Sequence, residues 1–372
     1  MAKNIVICLD GTGNKFGEEN TNIVKLFRVL KRNTTQICYY DPGVGTLGDP
    51  KYKSSIAKTL YKGLGQAFGL GLIENMVQAY SFLMENYQNG DRVYIFGFSR
   101  GAYTARVLAG FIHSIGLLDS GCNNLIPYAL TLYRAKKTDF ALMAQFKKTY
   151  GRNININFLG LWDSVSTFGW IYSPVFLPFT TNNPSVEVIR HALAIDEKRA
   201  FFQPMLWGRK HQDKQDIKEV WFAGVHSDIG GGYPECESGL AKVTLQWMIN
   251  EAQGNTQNLT VNKYPLKIEA KEYDRYVMGK GSDAKYIAPT PLAEQHKSLQ
   301  SAWHWVQNIP RSVWSVKEER EVLRTAPDYR EIAPDSILHS SVLERIEETN
   351  YRPAALQGMK SEQLQQVFKI EL

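Results

Sequence analysis

The sequence predicts an α/β protein: a mostly parallel central sheet with helices on both faces and a small irregular insert. Three observations predict it. The runs Ile5–Leu9, Ile37–Tyr40 and Val93–Phe96 are apolar, rich in β-formers and short enough for buried strands. Stretches at helical spacing lie between them, with Ile23, Leu26, Phe27 and Leu30 on one and Ile73, Val77, Tyr80, Leu83 and Met84 on the other. Each apolar run ends in a turn signal, at Asp10–Asn14, Asp41–Gly45 and Gly97–Gly101. Such alternation builds parallel sheets covered on both faces, whose functional groups gather at the carboxyl ends of the strands.

In chain order, Ile5–Leu9 reads as a central strand, Asn22–Arg32 as a helix and Ile37–Tyr40 as the second strand. Residues 46–69 are rich in Gly and Lys and show no clear period, whereas Leu72–Tyr87 reads as a strong helix. After the Val93–Phe96 strand, Ala102, Ala105, Val107, Leu108, Ala109 and Ile112 recur near i, i+3, i+4. Helical material runs from Gly116 to Lys148, and Ile154–Trp162 is a further buried strand. Ser185–Ala194 reads as a helix, Val220–Val225 as a strand and Ser238–Ala252 as a helix. The expected division is a core over 1–253, an insert or small subdomain over 254–330, and a segment over 331–372 that returns to the core.

The stretch that organises the rest is Gly97-Phe98-Ser99-Arg100-Gly101, a G-x-S-x-G between a strand and a helix of small residues. That context is the one a nucleophile elbow requires. Side chains at 97 and 101 would collide with the neighbouring strand and helix, so both positions need glycine. The turn lifts the Ser99 hydroxyl above the sheet, and the N–H of Arg100 points into the same space, where it can donate to an oxyanion. The bland alternative is a glycine-flanked serine that caps a helix.

A serine hydroxyl needs a base, and the base needs an orienter. The strand-end acid after Ser99 is Asp163, and the strand-end histidine after that is His226, which opens a Gly-rich loop. Serine, acid, histidine is the chain order of hydrolases built on this elbow. Of the seven histidines, His113 and His191 fall in helical patterns, His211 in a charged segment, and His296 and His304 in the irregular insert. His339 is the alternative base, and for Asp163 the alternative is a turn or capping acid.

The second oxyanion donor is expected from the N–H of Gly11 or Thr12, because the strand before them should neighbour the elbow strand. Asp10 supports that loop; alternatively Asp10 and Asp228 hold a cation. No His/Asp/Glu spacing supports a metal, so no metal and no cofactor are expected. Gly11-Thr12-Gly13 and Gly230-Gly231-Gly232 match neither phosphate-loop fingerprint, which disfavours nucleotide binding. The apolar stretch Phe168–Phe179 is either a loop packed on the core or a lid facing lipid. The lid reading implies a substrate with an acyl chain and peripheral contact with a membrane.

Composition bounds the partners. The chain has 372 residues with 43 Lys plus Arg against 37 Asp plus Glu, a formal charge of +6. This is mild, and no basic cluster resembles a nucleic-acid patch. Cys8, Cys38, Cys122 and Cys236 form no C-x-x-C pair and read as buried free thiols, which suits a reducing compartment. The run after Met1 is too short for a signal peptide, and nothing approaches the about 20 apolar residues of a membrane span. Synthesis in the cytoplasm is expected, with export by a signal-less route compatible.

Leu9–Asn14, Gly97–Arg106, Trp162–Val165 and Gly224–Tyr233 together resemble the α/β-hydrolase family described as the catalytic domain of type VI secretion lipase effectors. Tyr351-Arg352-Pro353 resembles the family's usual tail. The resemblance implies a serine hydrolase with Ser99 as nucleophile, Asp163 as orienter and His226 as base, acting on phospholipid ester bonds. An esterase for non-lipid acyl esters, or a binding module on the same scaffold, is the alternative.

Overall fold

The structure is a computed structural model. It describes residues 2–11, 17–43, 56–135, 137–165, 169–170, 173–174, 177–199, 202–208, 214–254, 265–281, 285–299, 311–315, 320–324 and 329–372. Eight strands form the central sheet: β1 (Asn4–Leu9), β2 (Gln36–Asp41), β3 (Arg92–Phe98), β4 (Ile156–Trp162), β5 (Val186–Ala194), β6 (Asp216–Phe222), β7 (Ile337–His339) and β8 (Lys369–Glu371). Their order is β8-β7-β6-β5-β4-β3-β1-β2, and every neighbouring pair is parallel.

The order of addition reverses between β1 and β3. The chain grows outward from β1 to β2, then returns to the other side of β1 and builds β3 to β8. Open parallel sheets place their ligand crevices at such a switch point, beyond the carboxyl ends. The register aligns those ends: Leu9 sits opposite Gly97, Phe98 opposite Trp162, and Trp162 opposite Ala192.

Alternate residues feed two cores, as a pleated strand requires. Ile5, Ile7 and Leu9 pack with Val93, Ile95, Leu159 and Leu161 beneath α2 (Ile56–Asn86) and α3 (Arg100–Ile115). Val6 and Cys8 pack with Tyr94, Phe96 and Phe158 beneath α1 (Asn22–Val29). The helices α4 (Ile126–Tyr133) and α5 (Phe140–Tyr150) back the first layer. After a short α6 (His226–Gly230), α7 (Gly239–Gln253) and α8 (Ala270–Tyr276) flank the second. A third cluster gathers Leu193, Trp221 and Leu338 beneath α9 (Ser340–Glu348) and α10 (Ser361–Val367).

Several expectations need correction. Ser185–Ala194 is not a helix: Val186–Ala194 is β5, paired in parallel with both β4 and β6. With both faces buried, a strand loses its period-2 signature and a short apolar run mimics a helix face. The helix before β3 starts at Ile56 rather than Leu72, despite the glycines at 63, 65, 69 and 71. His226, expected to open a Gly-rich loop, is the first residue of the short helix α6. Within 254–330 the described residues include two ordered pieces. Residues 266–269 lie along α1, with Glu269 N donating to Val29 O at 2.8 Å, and 311–315 pairs with 320–324 as an antiparallel hairpin. Of the cysteines, expected to be buried, Cys8 is buried, Cys38 and Cys122 are half-buried, and Cys236 is exposed.

Phe168, Ile171, Tyr172, Val175 and Phe176 lie outside the described residues, and the backbone of 169–170 pairs with that of 173–174. The described end of this stretch packs inward. Leu177 is buried, Pro178 O accepts from Tyr133 Oη at 2.8 Å, and the Phe179 ring lies 4.3 Å from that of His113.

Candidate active site

Ser99 sits between β3 and α3 at φ 57°, ψ −120°. Serine reaches that region only under compulsion, at a cost of about 1–3 kcal/mol. The surroundings compel it. A Cβ at Gly97 would lie 2.5 Å from Gly101 O and 2.6 Å from Ala102 Cα, and a Cβ at Gly101 would run into the Leu9 carbonyl. The glycines therefore let α3 lie directly against β1 and β3. Ser99 N donates to Trp162 O at 3.0 Å, which ties the turn to β4.

Asp163 follows β4 with φ 40° and is fully buried. Its backbone is locked by its N–H to Ala192 O at 2.8 Å, and Ala194 N donates to Oδ1 at 3.0 Å. The next residue is held too: Ser164 N donates to Nε2 of His191 at 3.1 Å, and Nδ1 of His191 meets Glu219 Oε1 at 2.9 Å. The acceptor role of Nε2 places the His191 proton on Nδ1, and burial pulls its pKa down, so this imidazole is a neutral strut.

His226, one residue into α6, brings the three groups together. Its Nε2 lies 2.8 Å from Ser99 Oγ and its Nδ1 lies 2.5 Å from Asp163 Oδ2. The network assigns the proton to Nδ1 and leaves the lone pair of Nε2 facing the hydroxyl. The ring is wedged between Phe98, at 4.8 Å between centroids, and Phe202, edge-on at 4.9 Å. Its backbone N–H donates to Glu197 Oε2 at 3.1 Å. A hydroxyl, an aligned imidazole and a buried carboxylate are the parts that proton transfer to and from a serine nucleophile needs. His339, the alternative base, instead caps α9: its Nδ1 accepts from Ser341 N at 3.2 Å, and burial lowers its pKa to about 4.

The oxyanion donors divide. Arg100 is the first residue of α3, where N–H groups point out of the helix end. Its side chain is half-buried, and that desolvation lowers its pKa to about 10. Gly11 departs from expectation: its N–H donates to Asp10 Oδ1 at 2.7 Å, because the buried carboxylate takes the nearest donor. Thr12 lies outside the described residues. Asp10 also accepts from Thr21 Oγ1 at 2.7 Å and from Tyr40 Oη at 3.0 Å, so it braces the loop after β1. Asp228 accepts from Val225 N at 3.0 Å and from Nδ1 of His296 at 2.6 Å. Protein donors fill both carboxylates, against their use as a shared cation site. Among the described residues no three His, Cys, Asp or Glu side chains are grouped to hold a metal.

With this geometry in place, the chain can be compared with known proteins. A family model described as "T6SS, Phospholipase effector Tle1-like, catalytic domain" matches residues 3–251. The chain belongs to this Tle1-like family. An uncharacterized protein of Saccharomyces cerevisiae, YEL023C, is 38% identical over 222 residues, covering 55% of this chain and 32% of the yeast protein. The Tle1-like chain therefore spans about a third of that relative's length. Two solved structures are similar at lower levels. A crystal structure of an uncharacterized protein from Pseudomonas aeruginosa is 20% identical, covering 67% of this chain and 46% of that one, with a TM-score of 0.38. The structure of the Tle1 effector bound to the VgrG spike from the Type 6 secretion system is 23% identical, covering 64% and 52%, with a TM-score of 0.36.

Two residues at this site escaped the sequence. Arg330, beyond the matched region and 1% exposed, donates from Nη1 to Asp163 Oδ1 at 2.5 Å and from Nη2 to Oδ2 at 2.9 Å. Burial opposes the charge of Asp163, but Arg330 and His226 outweigh it and hold the carboxyl well below its usual range. Glu197, also 1% exposed, receives His226 N and is gripped by Arg199 through Nε and Nη2, both at 2.9 Å. Reading β5 as a strand would have exposed Glu197 as a strand-end acid; Arg330 carries no such signal. Among the described residues, no helix is long and apolar enough to cross a membrane.

Proposed function

We propose that this protein is a serine hydrolase that cleaves a carboxylic ester of a phospholipid through an acyl-enzyme. Ser99 Oγ attacks the carbonyl carbon while Nε2 of His226 takes its proton. Asp163 keeps Nδ1 protonated and faces the imidazolium that forms. The carbonyl oxygen, now an oxyanion, receives the N–H of Arg100. His226 returns the proton to the leaving alcohol. Water then attacks the acyl-enzyme with His226 again as base, which frees the fatty acid and Ser99.

The observation that carries this reading is the pair of contacts on one imidazole, 2.8 Å to Ser99 and 2.5 Å to Asp163. The phospholipid as substrate rests on membership of the Tle1-like family. Ser99→Ala is expected to lower kcat by about 10³-fold or more, on phospholipid vesicles and on a soluble nitrophenyl ester alike. Wild-type turnover in that variant would refute the nucleophile. A wild-type enzyme that cleaves short soluble esters at a rate indifferent to vesicles would refute the lipid. Failure of a fluorophosphonate probe to label Ser99 would favour a binding module.

A further inference from the structure

Arg330 contacts two parts of the site at once. Besides the two oxygens of Asp163, Nη1 donates to Ala194 O at 2.9 Å and Nη2 to Phe202 O at 2.5 Å. Ala194 ends β5, and its N–H in turn donates to Asp163 Oδ1. Phe202 lays its ring against His226. One guanidinium thus fixes the carboxylate that holds the imidazole and the backbone of the aromatic ring beside it. The shared atom matters most: Asp163 Oδ2, which binds Nδ1 of His226, also accepts from Nη2. Where Arg330 sits decides which lone pair of Oδ2 remains for the histidine.

Charge supports the same conclusion. Around His226 stand two buried carboxylates, Asp163 and Glu197, and two arginines, Arg330 and Arg199. The set is balanced while the imidazole is neutral. Without Arg330, Asp163 would keep a full charge while buried, with Ala194 N and His226 as its other donors among the described residues. A carboxylate so placed turns or takes a proton, and either event misaligns the imidazole.

We propose that Arg330 is a positioning residue of the hydrolase site: its fork clamps both oxygens of Asp163 so that His226 aims Nε2 at Ser99. The inference rests on the reading of Ser99 as nucleophile. It also makes the chain beyond residue 251, where the family match ends, part of the acid–base machinery.

The test uses the full chain with Arg330→Ala, Arg330→Lys and Ser99→Ala. Turnover of a soluble nitrophenyl ester is measured per folded molecule, together with the rate of fluorophosphonate labelling. Arg330→Ala is expected to lose on the order of a hundredfold in kcat, the effect of a misplaced catalytic group, with KM near wild type. Low-millimolar guanidinium should restore part of that loss, whereas sodium at equal ionic strength should not. Arg330→Lys should recover little, because an ammonium cannot span two carboxylate oxygens. Wild-type kcat in folded Arg330→Ala would overturn the proposal. So would a loss that guanidinium leaves untouched while Arg330→Lys restores it in full. If neither variant folds, the arginine is purely structural and the proposal again fails. Wild-type protein that neither turns over ester nor labels would overturn the hydrolase reading as well; an active wild type with unaffected variants sinks the clamp alone.

Discussion

Ser99 is held at φ 57°, ψ −120°, the mirror image of an extended conformation that glycine occupies without strain. The structure therefore places function and stability in opposition at one residue. Ser99→Gly should relieve about 1–3 kcal/mol of backbone strain. It should give back roughly 0.5–1 kcal/mol through the greater freedom of glycine in the unfolded chain. The expected net is a variant more stable by about 1 kcal/mol, read as a higher denaturant midpoint at unchanged slope, with no esterase activity. A midpoint at or below wild type would mean that the turn is not strained. The same turn explains why Ser99 was legible in the sequence: only glycine fits at 97 and 101, so the close packing of α3 on β1 and β3 is written as a pattern of letters. Asp163 was legible because it directly follows an apolar strand, and His226 because it follows the apolar run Val220–Val225 at the end of another. Arg330 was not, because a buried arginine in a segment without periodicity reads like any solvated one.

β5 shows how a misread element hides a site. Its sequence, Val-Glu-Val-Ile-Arg-His-Ala-Leu-Ala, has no clean alternation because seven neighbouring residues, 188–194, are buried. Read as a helix, it leaves Asp196 and Glu197 as a charged surface run. Read as a strand, it brings both to the ledge where Ser99, Asp163 and His226 stand. There Asp196 Oδ2 accepts from Gly224 N at 2.7 Å, two residues before the histidine. A second element reaches that ledge through titratable groups. His296, from the segment 285–299, contacts Asp228 Oδ1 through Nδ1 at 2.6 Å and Glu237 Oε2 through Nε2 at 2.9 Å, and stacks on Tyr233 at 3.5 Å. Burial works against its charge, but the bonds to Glu237 and Asp228 outweigh it and raise its pKa. A histidine with a raised pKa contributes stability that is complete below about 6.5, its unfolded value, and lost as pH rises through the folded value. Amide exchange over 285–299 should accordingly accelerate as pH climbs from about 6.5 through the raised folded value, beyond the intrinsic base dependence. In His296→Gln the segment should be equally loose at both ends of that window. Equal protection ratios in wild type and variant at every pH would refute the clip.

At the scale of the molecule, the family-matched stretch is not a closed structure. Residues 3–251 hold β1 to β6 together with Ser99, Asp163 and His226, yet the sheet continues through β7 and β8. Leu193, Ile195 and Trp221, on or just after β5 and β6, are buried against Leu338, Val342, Ile346 and Leu364 from the last forty or so residues. Fully burying such side chains contributes about 1.5–3 kcal/mol each. Three of them amount to a large part of the roughly 5–15 kcal/mol that a domain has in hand. The same C-terminal part also sends Tyr351 Oη to Asp196 Oδ2 at 2.6 Å, behind the His226 loop, and the chain beyond 251 supplies Arg330 to Asp163. A fragment ending at residue 253 should therefore lose both cohesion and alignment. It should bind a hydrophobic dye and unfold without a cooperative transition. Its labelling by a fluorophosphonate should fall at least as far as that of full-length Arg330→Ala, because it lacks the clamp and the edge strands together. A soluble fragment that unfolds cooperatively and labels at the wild-type rate would show that the first six strands suffice, and that the remainder of the chain serves some purpose other than completing the site.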